Sequence, residues 1–188
     1  MESLVRIHVL PGGKLPKRQT DGAVGYDVSL RAIVCPREMD LNNPNLRKTL
    51  FDFETVPSDP KIARHVIETD KGLVYRMDPG ESVLVGMGFI TEMQFPMFYW
   101  VAPRSGLASK WGITVTNAPG TVDPDYRGEA GVLVYNRNTT SFDLEHNMRI
   151  AQIVFQIALI PEIAEVTAQE ELDGTQRGAG GFGSTGIK

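Results

Sequence analysis

Cysteine is almost missing from this chain. Cys35 is the only one in 188 residues, so no intrachain disulfide can form. That usage fits a reducing compartment, and a cytoplasmic protein is expected. No apolar run approaches membrane-spanning length, so no membrane partner is expected. Met1-Glu2-Ser3 lacks a basic region followed by an apolar core, so no secretory signal is expected. An excess of positive charge is missing too: 19 Lys and Arg stand against 23 Asp and Glu, a net charge of −4. Duplex-binding domains are usually basic, so nucleic acid is not an expected partner. An anionic ligand would have to be held by a few local cations and backbone amides. The three histidines, His8, His65 and His146, are scattered and form no H-E-x-x-H pair, and one cysteine cannot build a Cys-rich zinc site. Neither a G-x-S-x-G elbow nor a G-x-x-x-x-G-K-[ST] loop occurs.

Turn formers, by contrast, are frequent. The chain has 19 Gly and 12 Pro, which leave little room for long helices. Between them lie short apolar runs at Leu4–Val9, Ser82–Met87, Phe98–Ala102, Ile113–Thr116, Gly131–Tyr135 and Ile150–Ile157. Several are rich in Val, Ile, Phe and Tyr, the pattern of an all-β barrel or jelly roll. One short helix is predicted near Ser105–Trp111, with Ser105 as its N-cap. Residues 36–76 are polar and balance seven basic against seven acidic side chains, so they suggest a surface loop and argue against a nucleic-acid arm. The last stretch, Arg177–Lys188, is almost entirely Gly, Ser and Thr around Arg177 and Phe182.

Four segments could carry chemistry. In the C-terminal stretch, Gly178–Gly183 matches G-x-G-x-x-G. No apolar strand precedes it and no room for a helix follows, so a dinucleotide fold is excluded. A flexible linker and a phosphate-binding lid both remain open. For the lid, glycines let several N–H groups face an anion, Arg177 could grip phosphate, and Phe182 offers a flat face to a base. Asn117–Glu129 holds Asp123, Asp125, Tyr126 and Gly128. Arg127 and Val134 fall where an EF-hand needs ligands, which excludes calcium binding of that kind. The flanking apolar runs suggest a hairpin with a polar tip, either a plain turn or a carboxylate base beside an aromatic ring. Pro103–Ala108 places Ser105-Gly106 at a helix start, suited to phosphate or to simple capping. Arg149–Gln152 opens an apolar strand with a charge.

Taken together and in order, these segments resemble the trimeric dUTPase family over nearly the whole chain. Gly25-Tyr26-Asp27 within Asp21–Leu30 is similar to the first family motif and Pro103–Ala108 to the second. Gly120–Glu129 is similar to the third, Arg149–Gln152 to the fourth and Arg177–Gly186 to the fifth. The resemblance implies a jelly-roll-like β-barrel over 1–176, with an insertion at about 36–76. A mobile tail, 177–188, would cover the nucleotide. It implies hydrolysis of dUTP to dUMP and pyrophosphate by water attack on the α-phosphorus, with Asp123 as the base. It also implies that Asn117, Gly120, Thr121, Val122 and Gly131 read uracil and that Tyr126 packs on the deoxyribose. Arg104, Ser105, Gly106 and Gln152 would contact the phosphates. Asp27 would hold magnesium through water. From the tail, Arg177, Phe182, Gly183, Ser184 and Thr185 would close the site. A homotrimer with sites shared between subunits follows from the same resemblance.

Two departures and two rivals stand beside it. His146-Asn147-Met148 precedes the fourth motif, where a Gly-Asp pair is common, and residues 36–76 exceed the family's usual connection. A dCTP deaminase on the same fold would need a proton-shuttling glutamate where this chain has Leu133. A regulatory protein on a dUTPase scaffold would bind partners through residues 36–76.

Overall fold

The structure is a computed structural model and describes residues 4–181. Phe182, Gly183, Ser184 and Thr185 lie outside the described residues. The chain divides into two compact units, Met1–Ala158 and Leu159–Lys188.

The first unit is built from short strands: β1 (Arg6–Val9), β2 (Tyr26–Ser29), β3 (Ala32–Met39), β4 (Arg47–Phe51), β5 (Val66–Thr69), β6 (Gly72–Met77) and β7 (Ser82–Gly86). Next come β8 (Phe89–Glu92), β9 (Met97–Pro103), β10 (Ile113–Val115), β11 (Gly120–Val122), β12 (Gly131–Asn136), β13 (Phe142–Leu144) and β14 (Arg149–Ile157). Two helices interrupt them, α1 (Pro60–Ala63) and α2 (Ser105–Trp111). The all-β expectation therefore holds. The strands form four antiparallel sheets rather than one closed barrel, ordered β1-β8, β10-β12-β7-β3-β4, β11-β9-β14-β2 and β13-β6-β5. Among the described residues no helix is long and apolar enough to cross a membrane.

Alternation explains the core. In β12, Val132, Val134 and Asn136 are buried while Gly131, Leu133 and Tyr135 are half-buried on the other face, the period-2 pattern of a strand. Tyr99, Phe51, Phe89, Ile33, Ile153 and Met87 are fully buried. Each such apolar side chain contributes about 1.5–3 kcal/mol relative to exposure. The buried amide of Asn136 is satisfied by carbonyls of Asp78 and Thr140, at 3.3 and 2.9 Å, as a buried polar group requires.

Residues 36–76 are not a surface loop. They complete β3, supply β4, β5 and β6, and send Phe51, Phe53 and Tyr75 into the core. The polar composition misled because these strands keep one wet face: β6 alternates exposed Arg76 with buried Tyr75 and Met77. The hairpin expected around 117–129 also changes form. β10 and β12 do pair with each other, but Gly120–Val122 between them crosses to β9.

The turn before β14 accommodates its departure from the family pattern. Asn147 has φ 63°, a left-handed conformation that Gly and Asn tolerate best. Its N–H donates to Leu30 O at 2.9 Å, and its buried Oδ1 has no partner among the described residues. Asn147→Gly is expected to be neutral or slightly stabilising. Asn147→Val should lose about 1–2 kcal/mol, the left-handed penalty of a branched residue. Thermal melts of both variants check this.

Over its described residues the second unit has a 3₁₀ turn at Gln169–Glu171 and a hydrogen-bonded turn at 175–180, where Gly178 N–H donates to Thr175 O and Gly180 N–H to Arg177 O. The Thr167 hydroxyl and the Ala168 and Thr167 N–H groups donate to the Glu171 carboxylate. These bonds, that of the hydroxyl foremost, hold its pKa below the usual value.

Candidate active site

One sheet gathers four of the candidate motifs. In the order β11-β9-β14-β2, β11 carries the third, β9 leads into the second, β14 begins the fourth and β2 lies in the first. Register then sets the neighbours. Gln152 in β14 faces Asp27 in β2, and Ala151 faces Pro103 at the end of β9.

The first cluster follows from that register. The Asp27 carboxylate accepts from Arg104 Nε at 3.0 Å and from an Arg149 guanidinium nitrogen at 2.9 Å. Arg104 also donates to Arg149 O at 3.0 Å, and Gln152 Nε2 donates to Pro103 O at 3.0 Å. A Cβ at Gly25 would fall on the Gln152 amide, so that glycine gives Gln152 its room. Asp27, Arg104, Ser105, Gly106 and Gln152 line one cavity of about 490 Å³. Helix α2 begins one residue earlier than a Ser105 cap would allow: Arg104, not Ser105, is its N-cap and makes no side-chain cap bond. A guanidinium has no acceptor to offer helix N–H groups, so the cap rests on the extended backbone of Arg104 alone. At the other end Gly112 adopts φ 63° and terminates the helix.

The second cluster is smaller. Thr121, Val122, Asp123, Tyr126 and Gly131 line a cavity of about 230 Å³, below the roughly 300–1,000 Å³ of whole-ligand pockets. It suits one end of a ligand. Gly120 is buried under it, with the Asn117 side chain beside the space a Cβ would take. Asn117 itself is exposed and lines neither of the two cavities. The Tyr126 hydroxyl donates to Glu129 O at 3.1 Å, and its ring lies where a Cβ on Gly128 would stand. The ring is thus fixed in place. Among the described residues, nothing in the chain donates to the exposed Asp123 carboxylate. Arg177 lies in the second unit, where its Nε donates to Gly180 O at 2.7 Å.

Sequence reasoning missed a supporting pair, Glu129 and Arg31. Glu129 is buried, and its carboxylate accepts from Arg31 through two bonds of 2.7 and 2.8 Å and from Gly88 N at 2.9 Å. Its own N–H donates to Asn45 O at 3.1 Å. Arg31 and Glu129 are 98 positions apart, so no local pattern links them. A glutamate at the end of a polar loop gave no sign of burial.

A family model described as dUTPase matches residues 74–186. The deoxyuridine 5'-triphosphate nucleotidohydrolase of Heliobacterium modesticaldum is 36% identical over 183 residues, 97% of this chain and 94% of that relative. The enzyme of the same name from Nautilia profundicola is 52% identical over 108 residues, 57% of this chain and 74% of the relative. A variant of the Staphylococcus bacteriophage 80alpha dUTPase, solved with dUpNHpp, superposes with a TM-score of 0.69 at 17% identity, covering 98% of this chain and 99% of its own. The sequence relationship spans both cavities and the whole sheet that joins them, and the chain belongs to the dUTPase family.

Proposed function

We propose that this chain hydrolyses dUTP to dUMP and pyrophosphate. The observation that carries this is the pair of clusters on one sheet: a polar cavity lined by the Arg104–Asp27 ion pair and the start of α2, and a small aromatic-walled pocket with a carboxylate that has no ion-pair partner among the described residues. The first suits the triphosphate. Arg104 contributes its guanidinium, Ser105 and Gly106 the start of α2, and Gln152 an amide. The second suits the nucleoside, with Tyr126 against the deoxyribose and the Thr121–Asp123 backbone against uracil. A ring fixed against the sugar leaves no room for a 2′-hydroxyl, and mismatched buried polar groups would disfavour cytosine.

Asp123 takes a proton from water. The water oxygen attacks the α-phosphorus, the bond to the bridging oxygen breaks, and pyrophosphate leaves. The carboxylate must sit within about 2.6–3.2 Å of that water. Register supports a site whose two halves come from different chains. Asp123 follows Val122, which faces Tyr99, whereas Arg104 lies five residues beyond Tyr99 at the opposite end of β9. Asp123 thus falls beside Phe98, six residues from Arg104, and at about 3.3 Å per residue the base and the cation are roughly 20 Å apart along the strand. The two cavities share no lining residue. A homotrimer whose sites join clusters from different subunits meets the requirement, with the 177–188 tail closing the site.

Magnesium fits the first cavity. Each Asp27 oxygen accepts one guanidinium bond, at 3.0 and 2.9 Å, and a carboxylate has capacity for about four. Asp27 can therefore also accept from metal-bound water, the usual way this ion is held. When bound, the ion neutralises triphosphate oxygens.

A panel of dUTP, dCTP, dTTP and UTP, with and without magnesium, tests the reading. Pyrophosphate is expected from dUTP alone, and isotopically labelled water should place its oxygen in dUMP. Ammonia from dCTP would favour the deaminase instead. Leu133 disfavours that outcome: it pairs with Leu84 in mid-strand, and a leucine transfers no proton. Absence of hydrolysis would favour a regulator.

A further inference from the structure

The 36–76 segment reaches the nucleoside pocket. Asn45 O takes the N–H of Glu129 at 3.1 Å, which seats the segment on the end of the Gly120–Glu129 loop. Two residues on, Arg47 opens β4 opposite Met39. It lines the same cavity as Thr121, Val122, Asp123, Tyr126 and Gly131, and is its only cation. One guanidinium nitrogen donates to Pro36 O at 2.7 Å. That bond holds the half-buried side chain in position. A guanidinium has five N–H donors, and among the described residues Arg47 forms no ion pair. The pocket thus contains one anchored cation with donors to spare, and one carboxylate to which no described residue donates.

We propose that Arg47 is a nucleotide-contacting residue supplied by this segment. It donates to acceptor oxygens at the nucleoside end of a pyrimidine deoxynucleotide, from the wall opposite the reading loop. The segment is then part of the binding site rather than an appendage to it. This rests on the proposed dUTP hydrolysis. It predicts that Arg47 affects the nucleoside end of the ligand and leaves the phosphate end alone.

The test uses the full chain and two probes: dUMP for the nucleoside end and inorganic tripolyphosphate for the phosphate end. Arg47→Ala removes the side chain. Arg47→Gln keeps an amide that can still donate to Pro36 O, so it is read if the alanine variant fails to fold. Each variant should bind dUMP about 10- to 100-fold more weakly, the usual effect of losing a hydrogen bond to a charged group. KM for dUTP should rise in step, with kcat within about threefold of the native chain. Inhibition by tripolyphosphate and the melting temperature should not change. Arg47→Lys, which keeps the charge but not the planar fork, should recover part of the affinity. Native dUMP affinity in Arg47→Gln would overturn the proposal. So would equal losses for dUMP and tripolyphosphate, which would mark a general disturbance. A native chain that binds no dUMP and hydrolyses no dUTP would overturn the underlying reading as well, and that result is distinct from either of the others.

Discussion

Asp123→Asn is expected to slow dUTP turnover by about 10²–10⁴-fold, the usual contribution of a general base. The substitution is nearly isosteric and lies at an exposed position, so fold and nucleotide affinity should persist. The loss should appear in kcat, with KM for dUTP and dUMP binding changed little. This split follows from the geometry. Nothing among the described residues donates to the Asp123 carboxylate, so the amide leaves no neighbour unpaired. Its backbone carbonyl accepts from Tyr126 N at 3.3 Å whatever the side chain. Stopped-turnover assays beside calorimetry would check it, and near-native kcat would remove Asp123 from its role.

Arg31→Met should have the largest effect on stability, a loss of about 3–5 kcal/mol. Arg31 is the bidentate partner of Glu129, whose side chain is 1% exposed. Removing the guanidinium strands a carboxylate in the core with only Gly88 N for company. Against the roughly 5–15 kcal/mol that holds a domain together, that is a large fraction. The melting temperature should fall by roughly 6–20 °C for a chain of this size. Arg31→Lys should recover only part, since a point charge cannot make both bonds. Function should follow stability. Glu129 anchors the Tyr126 hydroxyl through its carbonyl and the 36–76 segment through its N–H. KM for dUTP should therefore rise even at temperatures where Arg31→Met stays folded. A melting temperature within a degree or two of native would show that the pair is no more than a surface contact.

Legibility in this chain tracked the range of the forces involved. The runs at Ser82–Met87, Gly131–Tyr135 and Ile150–Ile157 became β7, β12 and β14 almost residue for residue, and the helix at Ser105–Trp111 kept its bounds. Burial on alternate positions and a glycine stop are local signals, so a window of the chain contains them. The strands of residues 36–76 were not legible, because Phe51 and Tyr75 sit among charged neighbours whose exposure only the sheet reveals. Ser105 did not become the cap, because Arg104 takes that place with an extended backbone. The Arg104 side chain is held by Asp27, 77 positions away, and no local window contains that partner.

What the sequence alone determined is the chemistry available: which carboxylates, cations and aromatic ring the chain has, in which order, and that they lie on or between short strands. The fold alone decided which of them meet. Strand register placed Gln152 opposite Asp27 and set Asp123 and Arg104 at opposite ends of β9. That separation is what supports the proposed site shared between subunits. Long-range pairing also buried Glu129 against Arg31 and carried Arg47 to the cavity lined by Thr121, Asp123 and Tyr126. Such pairings depend on chain closure over tens of residues. The free energy that selects them comes from the assembled core, which no single segment contains.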